Sequence, residues 1–246
     1  MSDKKIKTAV ILAAGKGTRL DKITKGEYPK PLTPIDGVPI IERSIQALIK
    51  QGVERILLGC GHMMESFNYL TEKYKEVEIV ENPKYDELGS IYTLWVFREV
   101  VSGPFFLLEA DILYDSEGLT FLGNGDLKHS KILTSAPVPL DDNVYYKSDQ
   151  NVLQVLSKEP FEGKVEGAMT GIWALSEGFL KRFTEYFERQ NISFNEDYET
   201  LMALYSKEKE PIMILNRPDF KWCEIDNEDH LEYAITKIWP EIRDKV

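Results

Sequence analysis

Four short apolar runs constrain the fold more than any other feature of the sequence. They lie at residues 7–14, 55–61, 77–83 and 104–111. The first run is continuous, without the polar–apolar alternation of a half-exposed strand, which is typical of strands that a parallel sheet buries on both faces. The residues between the runs have helical periodicity, as at 38–51, where apolar side chains recur on one face. This alternation predicts right-handed βαβ units and a mostly parallel sheet.

The pattern changes after about residue 130. Short strand candidates follow one another with turns between them, before amphipathic helices at 178–190 and 196–208 and a last helix that begins at residue 227. No repeat or linker interrupts the chain. We therefore expect an α/β fold in one domain, 1–246, with helices that flank the central sheet and a smaller antiparallel part in the second half.

The composition excludes several functions. The 41 acidic and 30 basic residues give a formal charge of −11, whereas nucleic-acid binding needs a basic footprint. No run of 18 apolar residues is present, so we expect neither membrane insertion nor a secretory signal. Two cysteines are too few for a disulfide framework, which favours a cytoplasmic location. The three histidines lack the spacing of a zinc site or a hydrolase triad, and we interpret them as structural or solvated.

The first apolar run ends in a glycine-rich turn, "AAGKGTRL" at 13–20, that suits a bound phosphate. A dinucleotide-binding fingerprint is excluded because Leu20 stands where its third glycine belongs. A Walker P-loop is excluded because Val10 stands where its first glycine belongs. What remains is a turn of small residues with accessible N–H groups, near two cations, Arg19 and Lys30, that can bind phosphate oxygens.

Two aspartates end strand-like segments that lie far apart in the sequence. Asp111 ends the run at 104–111, and Asp226 follows "KWCEI". Open parallel sheets bind their ligands at the carboxyl ends of the strands. We therefore expect these two carboxylates to meet at one edge of the sheet.

The combination of "LAAGKGTRL" at 12–20 with "PKPL" at 29–32 resembles the signature of the nucleoside-diphosphate-sugar pyrophosphorylase superfamily of nucleotidyltransferases. "EAD" at 109–111, "GIWALS" at 171–176 and "WCEIDNEDHLEYA" at 222–234 also have counterparts in that family. The resemblance therefore extends along nearly the whole chain. It implies a Rossmann-like, mostly parallel sheet and attack of a phosphate on the α-phosphorus of a nucleoside triphosphate, with release of pyrophosphate.

The same resemblance implies an internal division of the domain. A nucleotide-binding part is expected at about 1–130 and an acceptor-binding part at about 131–226, followed by a C-terminal helix at 227–246.

The resemblance also implies roles for single residues. Arg19 would bind the β- and γ-phosphates, and Lys30 the α-phosphate and the attacking anion. Asp111 and Asp226 match the two aspartates that hold Mg²⁺, the expected cofactor. The turn would hold the base and the triphosphate through the residues Leu12, Ala13, Ala14, Gly15 and Gly17.

The stretch "NPKYDELGSIYTL" at 82–94 is especially similar to the small cytidylyltransferases that act on 2-aminoethylphosphonate or phosphocholine. Members that act on hexose 1-phosphates commonly have G-T-A where this chain has Gly89 and Ser90, which are expected to contact base and ribose. The resemblance therefore favours CTP as the nucleotide.

The identity of the acceptor stays open, because it can carry either of two kinds of amine. A quaternary amine favours a cage of aromatic rings, whereas a primary ammonium group favours carboxylates. Carboxylates near Tyr198 tilt the prediction towards 2-aminoethylphosphonate, and Lys158 is expected to reach the acceptor anion. The predicted acceptor-binding residues are Tyr146, Lys158, Trp173, Glu196, Asp197 and Tyr198, with Glu199 as a further carboxylate.

Two other functions stay open as alternatives. One is a sugar-1-phosphate nucleotidyltransferase that uses UTP, dTTP or CTP, and the other is a regulatory subunit that binds nucleotide without turnover. A homodimer also stays open.

Overall fold

The computed structural model describes residues 5–125, 127–163 and 165–245, apart from the side chain of Asp21. The strands of these ranges are β1 (Thr8–Ala13), β2 (Pro34–Ile35), β3 (Val38–Pro39), β4 (Arg55–Cys60), β5 (Val77–Glu81), β6 (Phe105–Glu109), β7 (Ile112–Tyr114), β8 (Ser130–Ser135), β9 (Tyr145–Asp149), β10 (Val152–Ser157), β11 (Ala168–Leu175), β12 (Ile212–Asn216) and β13 (Trp222–Glu224).

The α-helices of the same ranges are α1 (Asp21–Thr24), α2 (Ile40–Lys50), α3 (Asn68–Lys73), α4 (Ser90–Val96), α5 (Glu117–Gly123), α6 (Phe179–Arg189), α7 (Tyr198–Glu208), α8 (Glu228–Tyr233) and α9 (Trp239–Ile242). Short 3₁₀ turns lie at Thr18–Leu20, Lys30–Leu32 and Met64–Phe67, and a π-helical turn lies at Ala234–Ile238.

Nine of the described strands form one sheet in the order β5-β4-β1-β6-β11-β8-β12-β10-β9. The four strands from β5 to β6 are parallel, as the apolar runs predict. Strand β11 then runs antiparallel to both of its neighbours, β6 and β8. The predicted α/β class, with helices around a mostly parallel sheet, is confirmed. The antiparallel strands β9, β10 and β11 of the second half extend this sheet, whereas the pairs β2–β3 and β7–β13 form small sheets of their own.

The burial of β1 on both faces explains why its apolar run is continuous. Ala9, Ile11 and Ala13 face one hydrophobic core, and Val10 faces another on the opposite side of the sheet. Both faces are covered, so neither set of alternate positions tolerates polar side chains. The carboxyl end of this strand is thereby held between β4 and β6, inside the parallel part of the sheet.

A small ribbon carries the two predicted aspartates to the same place. Strands β7 and β13 pair antiparallel, with Glu224 opposite Ile112. The N–H group of Ile225 donates to the carbonyl oxygen of Asp111 at 2.9 Å. Asp111 and Asp226 therefore flank the same end of this ribbon, although more than a hundred residues separate them in the chain.

The C-terminal helix is less regular than the sequence pattern predicts. It is interrupted between α8 and α9 by the π-helical turn, and Pro240 lies in the first turn of α9. Proline has no N–H group to donate to the preceding turn, so a regular helix cannot pass through this position unchanged. Ala234, Ile238 and Ile242 still pack into a third core beside β7 and β13.

Two further expectations concern the ends of the chain and membrane insertion. Residues 1–4 and Val246, which the predicted domain and C-terminal helix include, lie outside the described residues. Among the described helices, none has the length and apolar character that crossing a membrane requires.

Candidate active site

A cleft of about 370 Å³ opens at the carboxyl ends of β1 and β6. It gathers all of the residues that the sequence predicts for catalysis, metal binding and nucleotide binding. They are Leu12, Ala13, Ala14, Gly15, Gly17, Arg19, Lys30, Gly89, Ser90, Asp111 and Asp226.

The glycine-rich turn depends on Gly17 for a steric reason. Its φ angle is +62°, in the left-handed region that side chains with a Cβ disfavour. A Cβ atom here would also lie 2.7 Å from the Cβ atom of Lys30. Gly15 is different, because a Cβ atom at that position would meet nothing within 4 Å. The turn and Lys30 are therefore in contact only because residue 17 is glycine.

Lys30 lies between the two aspartates. Its ammonium group pairs with the Asp111 carboxylate and lies 2.6 Å from Oδ1 of Asp226. Burial alone would lower the pKa of Lys30, but the two carboxylates outweigh it and hold the pKa above its ordinary value. The pKa of Asp226 is correspondingly held below its ordinary value, since the ammonium group outweighs the effect of burial. Lys30 is therefore a cation and Asp226 an anion at neutral pH.

Arg19 stands at the outer side of the same aspartate. Its Nη2 atom lies 2.9 Å from Oδ1 of Asp226, and its Nη1 atom pairs with the carboxylate of Asp142. The side chain is 55% exposed, so the guanidinium group is accessible to an anion that enters the cleft. Asp142 comes from the segment between β8 and β9, which the sequence does not connect with the site.

Two further carboxylates line the cleft, although the sequence alone does not assign them to the site. Glu109 precedes Asp111 by two residues, and Glu224 precedes Asp226 by two. Burial, together with the carboxylates of Glu199 and Asp111, raises the pKa of Glu109 to about 8. Burial and the charge of Asp111 likewise raise the pKa of Glu224 well above its ordinary value. The i, i+2 spacing on extended chain is the signal that would have placed each glutamate beside its aspartate.

These carboxylates form a donor set that suits a divalent cation. One oxygen from each of Glu109, Asp111 and Glu224 lies within 4.8 Å of the others. Asp226 adds Oδ2, which is buried and has no hydrogen-bond partner among the described residues. Hard cations such as Mg²⁺ prefer oxygen ligands of this kind. The residues present therefore fit the cofactor that the sequence predicts.

The turn at Gly89 and Ser90 joins the two sides of the cleft. The N–H group of Gly89 donates to the carbonyl oxygen of Phe194 at 2.8 Å, and Ser90 Oγ accepts from the N–H group of Tyr198 at 3.0 Å. A Cβ atom on Gly89 would lie 2.6 Å from the carbonyl oxygen of Glu196. The predicted nucleotide-binding turn is thus bonded directly to the segment that precedes α7.

The structure divides the predicted acceptor-binding residues into two groups. Asp197 and Tyr198 line the cleft, and the hydroxyl group of Tyr198 donates to Oε1 of Glu109 at 2.6 Å. The residues that are not among the described lining of the cleft are Tyr146, Lys158, Trp173 and Glu196.

Burial explains where the two aromatic residues of the second group lie. Trp173 is fully buried in β11, where its ring meets that of Tyr198 edge to face at 6.2 Å between centroids. Tyr146 is buried in β9 and its hydroxyl group donates to the carbonyl oxygen of Glu166. Both rings belong to the core on one side of the sheet. Of the three aromatic residues predicted to bind the acceptor, Tyr198 is therefore the one that lines the cleft.

Glu199, the further carboxylate that the sequence suggests for the acceptor, also lines this wall of the cleft. Its Oε2 atom is buried and has no hydrogen-bond partner among the described residues. Burial, with the nearby charge of Asp197, raises the pKa of Glu199 to about 7, although Lys158 acts in the opposite direction. An unsatisfied buried oxygen of this kind is costly unless a ligand completes its interactions.

Comparison with known proteins finds a family whose sequence pattern matches part of the chain. The MobA-like NTP transferase domain matches residues 9–119, which include the glycine-rich turn, Lys30, Ser90 and Asp111. The match therefore includes a little less than half of the chain. The resemblance to nucleotidyltransferases that the motifs predict is confirmed over these residues.

Two curated relatives match a similar stretch. The 2-aminoethylphosphonate cytidylyltransferase of Lancefieldella rimae is 43% identical over 110 residues, which cover 44% of this chain and 44% of the relative. The choline-phosphate cytidylyltransferase of Streptococcus pneumoniae is 38% identical over 103 residues, which cover 42% of this chain and 44% of the relative. The chain thus spans less than half the length of these two relatives.

The fold extends further than the sequence similarity. The structure of the inositol-1-phosphate CTP transferase from T. maritima superimposes with a TM-score of 0.83 over 98% of both chains, at 22% identity. At this identity the likeness supports the fold class alone, which it confirms over almost the entire chain.

A substitution at Gly17 tests the steric argument for the turn. We expect Gly17→Ala to lower the free energy of unfolding by about 1–2 kcal/mol, because of the left-handed backbone and the contact with Lys30. Urea unfolding measures the change. Gly15→Ala is the matched control and should stay within about 0.5 kcal/mol of the wild type. Equal losses in the two variants would contradict the argument.

The raised pKa of Glu199 predicts a pH-dependent stability. A carboxyl group whose pKa is raised by folding stabilises the protein fully below its unfolded pKa of about 4.3, and that contribution is lost as the pH rises through about 7. Glu199→Gln removes the titration. The melting temperature of this variant should therefore rise relative to the wild type between pH 5 and pH 8.

Glu196→Gln, at an exposed neighbouring position, is the control for the pH series and should show no such trend. Thermal unfolding followed by circular dichroism in one buffer series measures all three proteins. If the difference in melting temperature between the wild type and Glu199→Gln stays constant across the pH series, the prediction is refuted.

Proposed function

We propose that the protein is a Mg²⁺-dependent cytidylyltransferase that transfers CMP from CTP to a small phosphonate or phosphate, and we favour 2-aminoethylphosphonate as the acceptor. The observation that carries the proposal is the convergence of Arg19, Lys30, Asp111 and Asp226 beside the glycine-rich turn in one cleft. The names of the two cytidylyltransferases among the relatives support the choice of CTP.

The reaction requires alignment and charge neutralisation more than proton transfer. An oxygen of the acceptor phosphonate attacks the α-phosphorus of CTP, and the bond from that phosphorus to the β-phosphate oxygen breaks. Pyrophosphate leaves with the electron pair of that bond. The attacking oxygen is already anionic, so no general base is needed. The protein therefore contributes by holding two anions in line and by offsetting their repulsion.

The two cations of the cleft suit the two ends of the triphosphate. Lys30 is buried beside the turn and stays protonated, so its charge is available to the α-phosphate and the approaching acceptor. Arg19 is half-exposed at the outer side of Asp226, where its guanidinium group can bind the departing pyrophosphate. The small residues of the turn allow the backbone N–H groups to approach the phosphates closely.

The carboxylates of the cleft have a complementary role. Asp111 and Asp226 would hold Mg²⁺, with Glu109 and Glu224 close by. When bound, the cation neutralises charge on the phosphate oxygens and polarises the reacting phosphorus centre. Asp226 also keeps Lys30 and Arg19 in position, because both pair with its Oδ1 atom.

The preference for a primary amine rests on the wall formed by α7 and the residues before it. Asp197 and Glu199 line the cleft there, and Oε2 of Glu199 lacks a hydrogen-bond partner among the described residues. A primary ammonium group donates three hydrogen bonds, whereas a quaternary amine donates none and requires ring faces. Trp173 and Tyr146 direct their rings into the core instead. We infer that 2-aminoethylphosphonate fits this wall better than phosphocholine.

An acceptor series with CTP and Mg²⁺ tests the proposed function directly. Pyrophosphate release should be fast with 2-aminoethylphosphonate and slower with ethylphosphonate, which has the same phosphonate without the ammonium group. Phosphocholine should react with an intermediate or low kcat/KM. Rapid turnover of glucose 1-phosphate and none of the amines would reject the proposal in favour of a sugar nucleotidyltransferase. Nucleotide binding without pyrophosphate release from any acceptor would identify a regulatory subunit.

Substitution of Lys30 tests its contribution to the reaction. We expect Lys30→Ala to lower kcat about 10²–10³-fold, which is typical for the loss of one charge-stabilising donor in an active site. Lys22→Ala, on the exposed side of α1, is the matched control and should retain wild-type kcat. Circular dichroism checks that each variant is folded, and Lys30→Gln replaces the alanine variant if the unpaired carboxylates prevent folding. A folded Lys30 variant with near-wild-type kcat removes Lys30 from this role.

A further inference from the structure

Five residues form a closed ring of contacts around the end of β13. Arg19 pairs with Asp226 and with Asp142, and Asp142 follows Asp141 in the chain. Oδ1 of Asp141 lies 2.5 Å from Nε2 of His230. The N–H group of Asp226 donates to Nδ1 of His230 at 3.4 Å, which closes the ring. Arg19 therefore contacts the carboxylate of Asp226, and His230 contacts its backbone N–H group. The adjacent residues Asp142 and Asp141 in turn hold Arg19 and His230.

The segment that carries this dipeptide has a defined structure of its own. Asn143 is buried, and its side chain accepts from the N–H group of Val138 at 3.0 Å. The same side chain donates to the carbonyl oxygens of Val138 and Leu140, at 2.9 and 2.7 Å. These three bonds fold residues 138–143 into a rigid loop. Asp141 and Asp142 project from that loop towards two different partners.

His230 is placed by equally specific contacts. Its side chain is buried in the first turn of α8, and Asn227 caps that turn by accepting from the N–H group of His230 at 2.9 Å. Because Nδ1 accepts the Asp226 N–H group, the hydrogen-bond network assigns the ring proton to Nε2, which donates to Asp141. Asp141 thereby fixes both the tautomer and the orientation of the ring.

We propose that Asp141, acting through His230, is a positioning residue for Asp226. This inference rests on the proposed cytidylyl transfer, in which Asp226 organises Lys30, Arg19 and the cation. Asp226 stands where β13 ends and α8 begins, so the bond from its N–H group to His230 sets the direction in which its carboxylate points. Small displacements of a group that aligns two anions are costly in rate. Outer partners that orient metal-binding groups typically contribute 10–100-fold in affinity or activity.

Asp141 offers a clean test because its side chain is 78% exposed and its removal should leave the fold intact. We expect Asp141→Ala to lower kcat for CMP transfer about tenfold, with little change in KM for the acceptor. Asp149→Ala, at an exposed position at the end of β9, is the matched control and should keep wild-type kcat. An Asp141→Ala enzyme with wild-type kcat would overturn the inference.

A double-mutant cycle separates positioning from general destabilisation. If Asp141 acts through His230, then Asp141→Ala should cost little further activity in a His230→Asn background. Losses that multiply fully in the double variant would show that the two residues act independently and would overturn the inference. Melting temperatures of the four proteins check that the activities compare folded enzymes.

Hydrogen exchange gives a readout that does not require turnover. The amide proton of Asp226 should exchange faster in Asp141→Ala than in the wild type and in Asp149→Ala, because its acceptor on His230 is no longer held in place. Unchanged exchange would overturn the inference even if activity falls. A wild type that forms no cytidylylated product rejects the proposed function instead, and the positioning of Asp226 is then decided by the exchange measurement.

Discussion

The ammonium group of Lys30 allows an unusually acidic cleft to exist in the folded protein. Its charge offsets those of Asp111 and Asp226, and the pKa of Asp226 is held low although its side chain is buried. Glu109 and Glu224 lack that direct contact, and burial raises the pKa of both. The contact with Lys30 thus keeps the pKa of Asp226 low, whereas the two glutamates hold their protons more tightly.

Bringing that cation to its partners requires two separate structural elements. Gly17 lets the turn after β1 lie against Lys30, and the β7–β13 ribbon brings Asp111 close to Asp226. Each part depends on backbone geometry more than on the charged groups themselves. The site is therefore preorganised by the fold, so its charged groups are in position before any ligand enters.

Much of this arrangement could be predicted from the sequence, and the limits have physical reasons. Continuous apolar runs predict parallel strands, and strand-end positions predict that Asp111 and Asp226 approach each other. The sequence does not show that Trp173 turns into the core, since core rings and ligand cages use the same residue types. It also does not reveal Asp142 or His230, because their contacts with Arg19 and Asp226 arise only when distant segments pack together.

Strand β11 has a consequence for how this chain becomes a stable unit. It occupies the middle of the sheet, pairs antiparallel with β6 and β8, and is buried along its whole length. The stretch 9–119 that matches the family contains β6 but ends well before β11 is made. A fragment limited to that stretch would expose the hydrogen-bonding edge of β6, an apolar strand open to pairing with other chains. Completion of the part that matches the family thus depends on a strand that lies beyond it in the sequence, and the two parts must fold as one.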